Sequence, residues 1–154
     1  MSSKLAATTI GIFWLSGAYA MAADGLITIA SSYGPKETMD RLETEIKARG
    51  MTVFTRIDHA AGAAQVGLPL LPTELLVFGS AKAGTPLMQS NQTIGIDLPL
   101  KALVWQDATG KTWLSYNDPR WLAQRHGLGT DANPTVDAMV TGLNALAKKV
   151  TERP

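Results

Sequence analysis

The spacing of apolar residues divides the chain into short alternating or continuous runs and longer stripes. Residues 25–31 (GLITIAS) are apolar and β-branched, the pattern of a first strand. Gly34-Pro35 then opens a helix, with proline at its first position and Glu37 in its first turn. Met39, Leu42 and Ile46 make one apolar stripe on it, and Gly50 is placed to stop it. Residues 51–58 alternate, with Met51, Val53, Thr55 and Ile57 on one face and Phe54, Arg56 and Asp58 on the other, which predicts a strand. Asp58 is placed to cap a short helix through the Ala/Gly-rich residues 59–67, ended by Gly67.

Residues 74–80 (ELLVFGS) are almost continuously apolar, the pattern of a central strand covered on both faces. Residues 84–92 read as a loop or a single helical turn, with Pro86 at its start. Residues 98–107 and 111–117 flank the turn Asp107-Ala108-Thr109-Gly110, whose Gly suits a positive φ, which predicts a hairpin with Trp105 and Trp113 on one face. Asp118-Pro119 starts a helix that Gly127 stops, and residues 129–134 read as a loop. Asn133-Pro134 supplies a cap and a first-turn proline for the last helix. Its apolar face holds Val136, Met139, Val140, Leu143, Leu146, Ala147 and Val150. The order β, α, β, short α, three strands and two helices predicts an α+β fold, a mostly antiparallel sheet covered by helices.

Ahead of these elements, Met1-Ser2-Ser3-Lys4 carries one positive charge and residues 5–17 carry none. Ala18-Tyr19-Ala20 and Ala20-Met21-Ala22 both fit the small-residue cleavage pattern. These are the three parts of a secretory signal peptide, cut after Ala22. The uncharged core is shorter than the roughly 20 residues a membrane span needs, so no stable anchor is expected after cleavage. The expected organisation is a signal peptide over residues 1–22 and one α+β domain over residues 23–154 of an exported protein, periplasmic or secreted.

Composition adds mainly exclusions. With 154 residues, 45% hydrophobic and 18% charged, the chain is one ordinary globular domain able to bury its own core. It has no cysteine, which removes thiolate metal sites, cysteine nucleophiles and covalent c-type haem attachment. The net charge is +1, and loss of Lys4 leaves the remainder formally neutral. A nucleic-acid partner, which calls for a basic excess, is therefore not expected. The chain contains no G-x-S-x-G, G-x-G-x-x-G, P-loop or H-E-x-x-H run.

Five runs in order carry a resemblance: Arg56-Ile57-Asp58-His59, Leu71-Pro72-Thr73-Glu74-Leu75-Leu76-Val77-Phe78-Gly79, Ala83-Gly84-Thr85-Pro86-Leu87-Met88, Asp97-Leu98-Pro99-Leu100-Lys101 and Ser115-Tyr116-Asn117-Asp118-Pro119. With them the chain resembles the domain-of-unknown-function 302 family over nearly all of the expected domain. The resemblance implies a small bacterial α+β domain of the β-α-β(4)-α, TBP-like type, often dimeric. It implies no activity.

The candidate chemistry is sparse. His59 and His126 are the two histidines. Either could ligate a metal or haem, with Asp58, Glu74 or Asp118 completing a metal set, or each could simply cap or end a helix. Met88 could be a soft axial ligand to haem iron or a filler of the core. The strand-to-helix corner at Tyr116-Asn117-Asp118-Pro119 could offer free N–H donors to an anion, or Asn117 or Asp118 could cap the helix. Arg56, Asp58, Glu74 and Lys101 could line a pocket or pair across strands.

The function expected from these features is a non-enzymatic binding module. His59, Met88, Tyr116 and His126 would surround a small ligand or cofactor beside the small-residue stretches 59–67 and 84–88, and haem is its most specific form. The alternative is a structural or interaction protein, self-associating as a homodimer. A hydrolase-like enzyme with a histidine general base has the least support.

Overall fold

The computed structural model describes residues 25–154, so the leader expected over residues 1–22 lies outside the described residues. The elements run β1 (Leu26–Ala30), α1 (Pro35–Ala48), β2 (Thr52–Asp58), α2 (His59–Gln65), β3 (Thr73–Gly79), α3 (Ala81–Ser90), β4 (Leu100–Gln106), β5 (Thr112–Asn117), α4 (Pro119–Arg125) and α5 (Asn133–Thr151). Two 3-10 turns, Gln92–Ile96 and Thr130–Ala132, lead into β4 and α5. The five strands form one sheet in the order β1-β5-β4-β3-β2, with every neighbouring pair antiparallel. This is the expected α+β fold, with short helices inserted into a β-α-β(4)-α framework.

The long helices α1 and α5 pack together on one face of the sheet. Met39, Leu42 and Ile46 of α1 meet Leu76 and Phe78 of β3, Val104 of β4, and Leu143, Leu146 and Val150 of α5, all essentially dry. Burying each such side chain stabilises the fold by roughly 1.5–3 kcal/mol. A second cluster, Leu87, Ile94, Leu122, Ala132 and Val136, fastens α3 and α4 to the start of α5.

The opposite face of the sheet is unlike the first. Leu75 and Val77 alternate with Leu76 and Phe78 but are only half-buried, as are Leu103, Trp105 and Trp113. The continuous apolar run of β3 thus serves one helix-covered face and one face that no long helix covers. Trp105 and Trp113 do share it, stacked with ring centroids 6.0 Å apart, and Trp105 Nε1 donates to Ser115 Oγ at 2.9 Å.

Three local expectations change. The alternation of β2 breaks at a bulge between Val53 and Thr55, so Val53 and Arg56 face α1 while Phe54 is extruded, 57% exposed. Residues 84–92 are not a loop. A ten-residue helix runs through Pro86, held by the full burial of Leu87. Tertiary packing there outweighs the hydrogen bond that proline cannot make. Finally, Asn133 does not cap α5. Ala132 stands in the capping position, and Asn133 is already helical.

Asp58 does cap α2, accepting from Ala61 N at 2.8 Å, and Asp118 caps α4, accepting from Arg120 N at 2.8 Å. The hairpin turn has Gly110 at φ 85°, and Asp107 accepts from Thr109 N, Lys111 N and Trp113 Nε1. These bonds, that of Thr109 Oγ1 foremost, hold the Asp107 carboxyl down at about 2.

Candidate functional site

The concavity best suited to a ligand is a groove of about 900 Å³ between α3 and α5. Small residues build its walls: Ala81, Ala83 and Gly84 on α3, and Ala138 and Gly142 on α5. Met88, Met139, Leu100, Leu143 and Leu146 supply apolar surface, and Phe54, pushed out by the β2 bulge, stands beside it. A Cβ placed on Gly142 would meet nothing within 4 Å, so that stretch of wall is open space. The polar groups along the groove are Ser80, Thr85, Thr135, Lys82 and Arg49, with no carboxylate among them. A predominantly apolar cleft of this volume with a few polar groups is the usual form of a small-molecule site.

Another concavity, of about 760 Å³, lies where α1 meets α5. Most of its charges are engaged within the protein, Lys36 on Asp40, Lys149 on Glu45, and Arg41 on the carbonyls of Lys149 and Val150, while Glu37 makes no ion pair among the described residues. That arrangement joins two helices and leaves few free groups for a ligand.

The four residues singled out from the sequence do not converge. Met88 lies on α3 in the groove wall. Tyr116 points from β5 into the main core, 4% exposed, and its hydroxyl donates to Asn144 Oδ1 at 3.1 Å. Burial, with a smaller contribution from the Asp118 charge, pushes its hydroxyl up to about 12. His59 is the exposed first residue of α2, away from the groove lining.

His126 ends α4, and both its ring nitrogens are engaged. Nε2 lies 2.6 Å from Asp97 Oδ2, and Nδ1 lies 2.9 Å from Thr93 Oγ1. Asn91 Nδ2 donates to the carbonyl of His126 at 2.6 Å. The ring therefore pins the turn before β4 to the end of α4. No histidine lines the groove, so no imidazole there would stand opposite Met88 across a haem. Among the described residues no three His, Asp or Glu side chains are grouped to hold a metal ion.

The strand charges pair with one another. Arg56 binds both oxygens of Glu74 across β2 and β3, and its Nη1 reaches Asp40 Oδ1 at 2.8 Å and Glu43 Oε2 at 3.1 Å. Lys101 Nζ donates to the carbonyls of Asp97 and Pro99.

The sequence reading missed most of the groove. Phe54 gave no signal, because a bulge is invisible in an alternation count. Ala138 and Gly142 did leave one, two small residues four apart on α5, which places them on one helix face.

Comparison with known proteins fits this geometry into a wider set. A family model described as "Domain of unknown function DUF302" matches residues 27–146. The curated "Fluoride-specific ion channel FluC 1" of Brucella suis biovar 1 is 52% identical over 124 residues, which cover 80% of this chain and 49% of that protein. "Fluoride-specific ion channel FluC 2" of Brucella melitensis biotype 1 is 52% identical over 124 residues, covering 80% of this chain and 46% of that protein. The chain thus spans about half the length of the curated relatives it matches. The crystal structure of an uncharacterized conserved protein DUF302 from Bacillus stearothermophilus matches with a TM-score of 0.74 at 22% identity, covering 83% of this chain and 99% of that one. That likeness concerns the fold alone.

Proposed function

The chain belongs to the family described as domain of unknown function DUF302, and on that premise we propose that it is an exported, non-enzymatic binding module that holds a small apolar molecule in the α3–α5 groove. One observation carries this reading: a concavity of about 900 Å³ walled by alanine, glycine and methionine, beside a tightly packed core. Small residues on two facing helices leave room that larger side chains would close. Haem is not part of the proposal, since the groove lining holds the methionines Met51, Met88 and Met139 but no imidazole. Catalysis is not part of it either, since the ring of His126 is held on both sides by Asp97 and Thr93.

The curated relatives are named for a channel, and a channel must cross a membrane with helices or a closed barrel. No helix among the described residues is long and apolar enough to cross one. We assign the channel named there to the other half of those relatives and read the present domain as a module that can be joined to it. Fluoride flux into vesicles carrying this chain is expected to equal that of empty vesicles.

The test of the groove uses 1-decanol as a neutral apolar probe, followed by calorimetry. The purified protein is expected to take up one equivalent. Gly142→Leu is expected to abolish uptake while keeping or raising thermal stability, because leucine fills the open space and favours helix over glycine by roughly 0.5–1 kcal/mol. No uptake by the unaltered protein, or undiminished uptake by the variant, overturns the reading.

A second reading concerns self-association. The sheet face bearing Leu75, Leu103, Trp105 and Trp113 is apolar, half-buried and without a long covering helix, which suits a second copy of this chain. Sedimentation at micromolar concentration is expected to give a dimer that Leu103→Lys dissociates. A monomer would sink this second reading and leave the groove untouched.

A further inference from the structure

We infer that the groove selects an amphiphile with an anionic head, its chain lying between α3 and α5 and its head beside Lys82. This rests on the groove being a binding site. The charge along the groove is one-sided: Lys82 and Arg49 are its ionisable residues, and no aspartate or glutamate lines it.

The two cations differ in what remains free. Arg49 Nε donates to Glu45 Oε1 at 2.9 Å and its Nη1 to the carbonyl of Gly142 at 3.1 Å, so much of its charge is answered within the protein. Lys82 makes no ion pair or side-chain hydrogen bond among the described residues, and it sits exposed in the first turn of α3. Its flexible stem can lie along apolar wall while the ammonium stays at the water boundary.

Ser80 and Thr135, also at the groove, make no side-chain hydrogen bond among the described residues and can serve as donors to the same head. A cationic head would meet the free ammonium of Lys82 and no carboxylate in the lining. A neutral head would leave Lys82 without a role. Alkyl carboxylates are the simplest compounds of the selected class.

The experiment compares decanoate with 1-decanol and decyltrimethylammonium on the purified protein by calorimetry, at low and high salt. Decanoate is expected to bind about threefold or more tightly than decanol, and the ammonium more weakly than either. The preference should shrink with salt, as for a partly exposed charge pair. Lys82→Gln is expected to bring decanoate to the affinity of decanol measured on the same variant, and Lys82→Arg to keep the preference. Equal affinity for decanoate and decanol, or a preference that survives Lys82→Gln, overturns the head-group inference while leaving the groove a binding site. Failure of all three probes to bind overturns both.

Discussion

His126 Nε2 and Asp97 Oδ2 lie 2.6 Å apart, joining the end of α4 to the turn before β4 across 29 residues of chain. With Thr93 on the other ring nitrogen, this contact accounts for one of the two histidines as structure. His126→Ala leaves Asp97, a mostly buried carboxylate, with only a longer 3.5 Å contact to Arg125. Loss of a buried hydrogen-bond partner of this kind costs about 1–3 kcal/mol. Urea unfolding is expected to shift by that amount, with decanol uptake in the groove unchanged. A variant as stable as the original would contradict the structural role.

Arg56 gathers Glu74, Asp40 and Glu43 around one guanidinium, tying α1 to the β2–β3 edge. The Asp40 carboxyl is held below its usual range, first by Lys36 and then by Arg56. The Glu43 carboxyl is held down first by Lys47 and then by Arg56. Carboxyls lowered in the folded state contribute stability that is present above their unfolded values, near 4, and lost as pH falls through the folded ones. The urea midpoint should therefore drop on acidification below about pH 4. Arg56→Met should lower the midpoint at pH 7, because half-buried Glu74 loses its partner, and should flatten the acid slope. Parallel acid slopes in the two proteins would refute the assignment.

Tyr116 is raised to about 12 by burial and the nearby Asp118. A neutral phenol favoured by the fold contributes stability that is present below its unfolded value, about 10, and lost as pH rises toward 12. Ultraviolet titration of the folded protein should show a tyrosine ionising near 12, together with alkaline loss of stability. Tyr116→Phe should remove that step and cost about 1 kcal/mol, since Asn144 Oδ1 loses its donor. If it also abolished ligand uptake, Tyr116 would belong to the site after all.

Gly25 holds φ at 84°, and a Cβ on it would fall 2.1 Å from Trp121 Cγ. Both the backbone and the ring refuse a side chain there. Gly25→Ala is expected to cost about 1–3 kcal/mol in thermal or urea unfolding, as the Trp121 ring is forced aside. Gly110→Ala, with a similar φ but nothing within 4 Å, should cost less. An equal loss in the two variants would assign the whole effect to backbone strain.

Cleavage of the expected leader is read most directly as mass. Protein recovered from an exporting bacterial host should begin at Ala23, after the second of the overlapping Ala-x-Ala runs. A mass including residues 1–22, with the protein in the cytoplasm, would refute export.

Most of the fold was legible in one dimension. Helical stripes such as Met39-Leu42-Ile46, the hairpin around Gly110 and the aspartate caps of α2 and α4 depend on neighbours within a few residues, so period and turn chemistry determine them. The sequence by itself also determined which motifs are absent: it has no cysteine, no phosphate-loop run and no G-x-S-x-G. Tertiary structure alone decided the rest. The β2 bulge, with Val53 paired to Phe78 and Thr55 to Val77, turns Phe54 outward. Helix α3 persists through Pro86 because Leu87 finds a dry seat across the chain. The groove exists because residues some 50 positions apart on α3 and α5 are small at the same place, and His126 is claimed by an aspartate that only the folded chain brings to it. Local periodicity carries no record of which distant side chains will meet, and a site built from such meetings could be seen only once they had occurred.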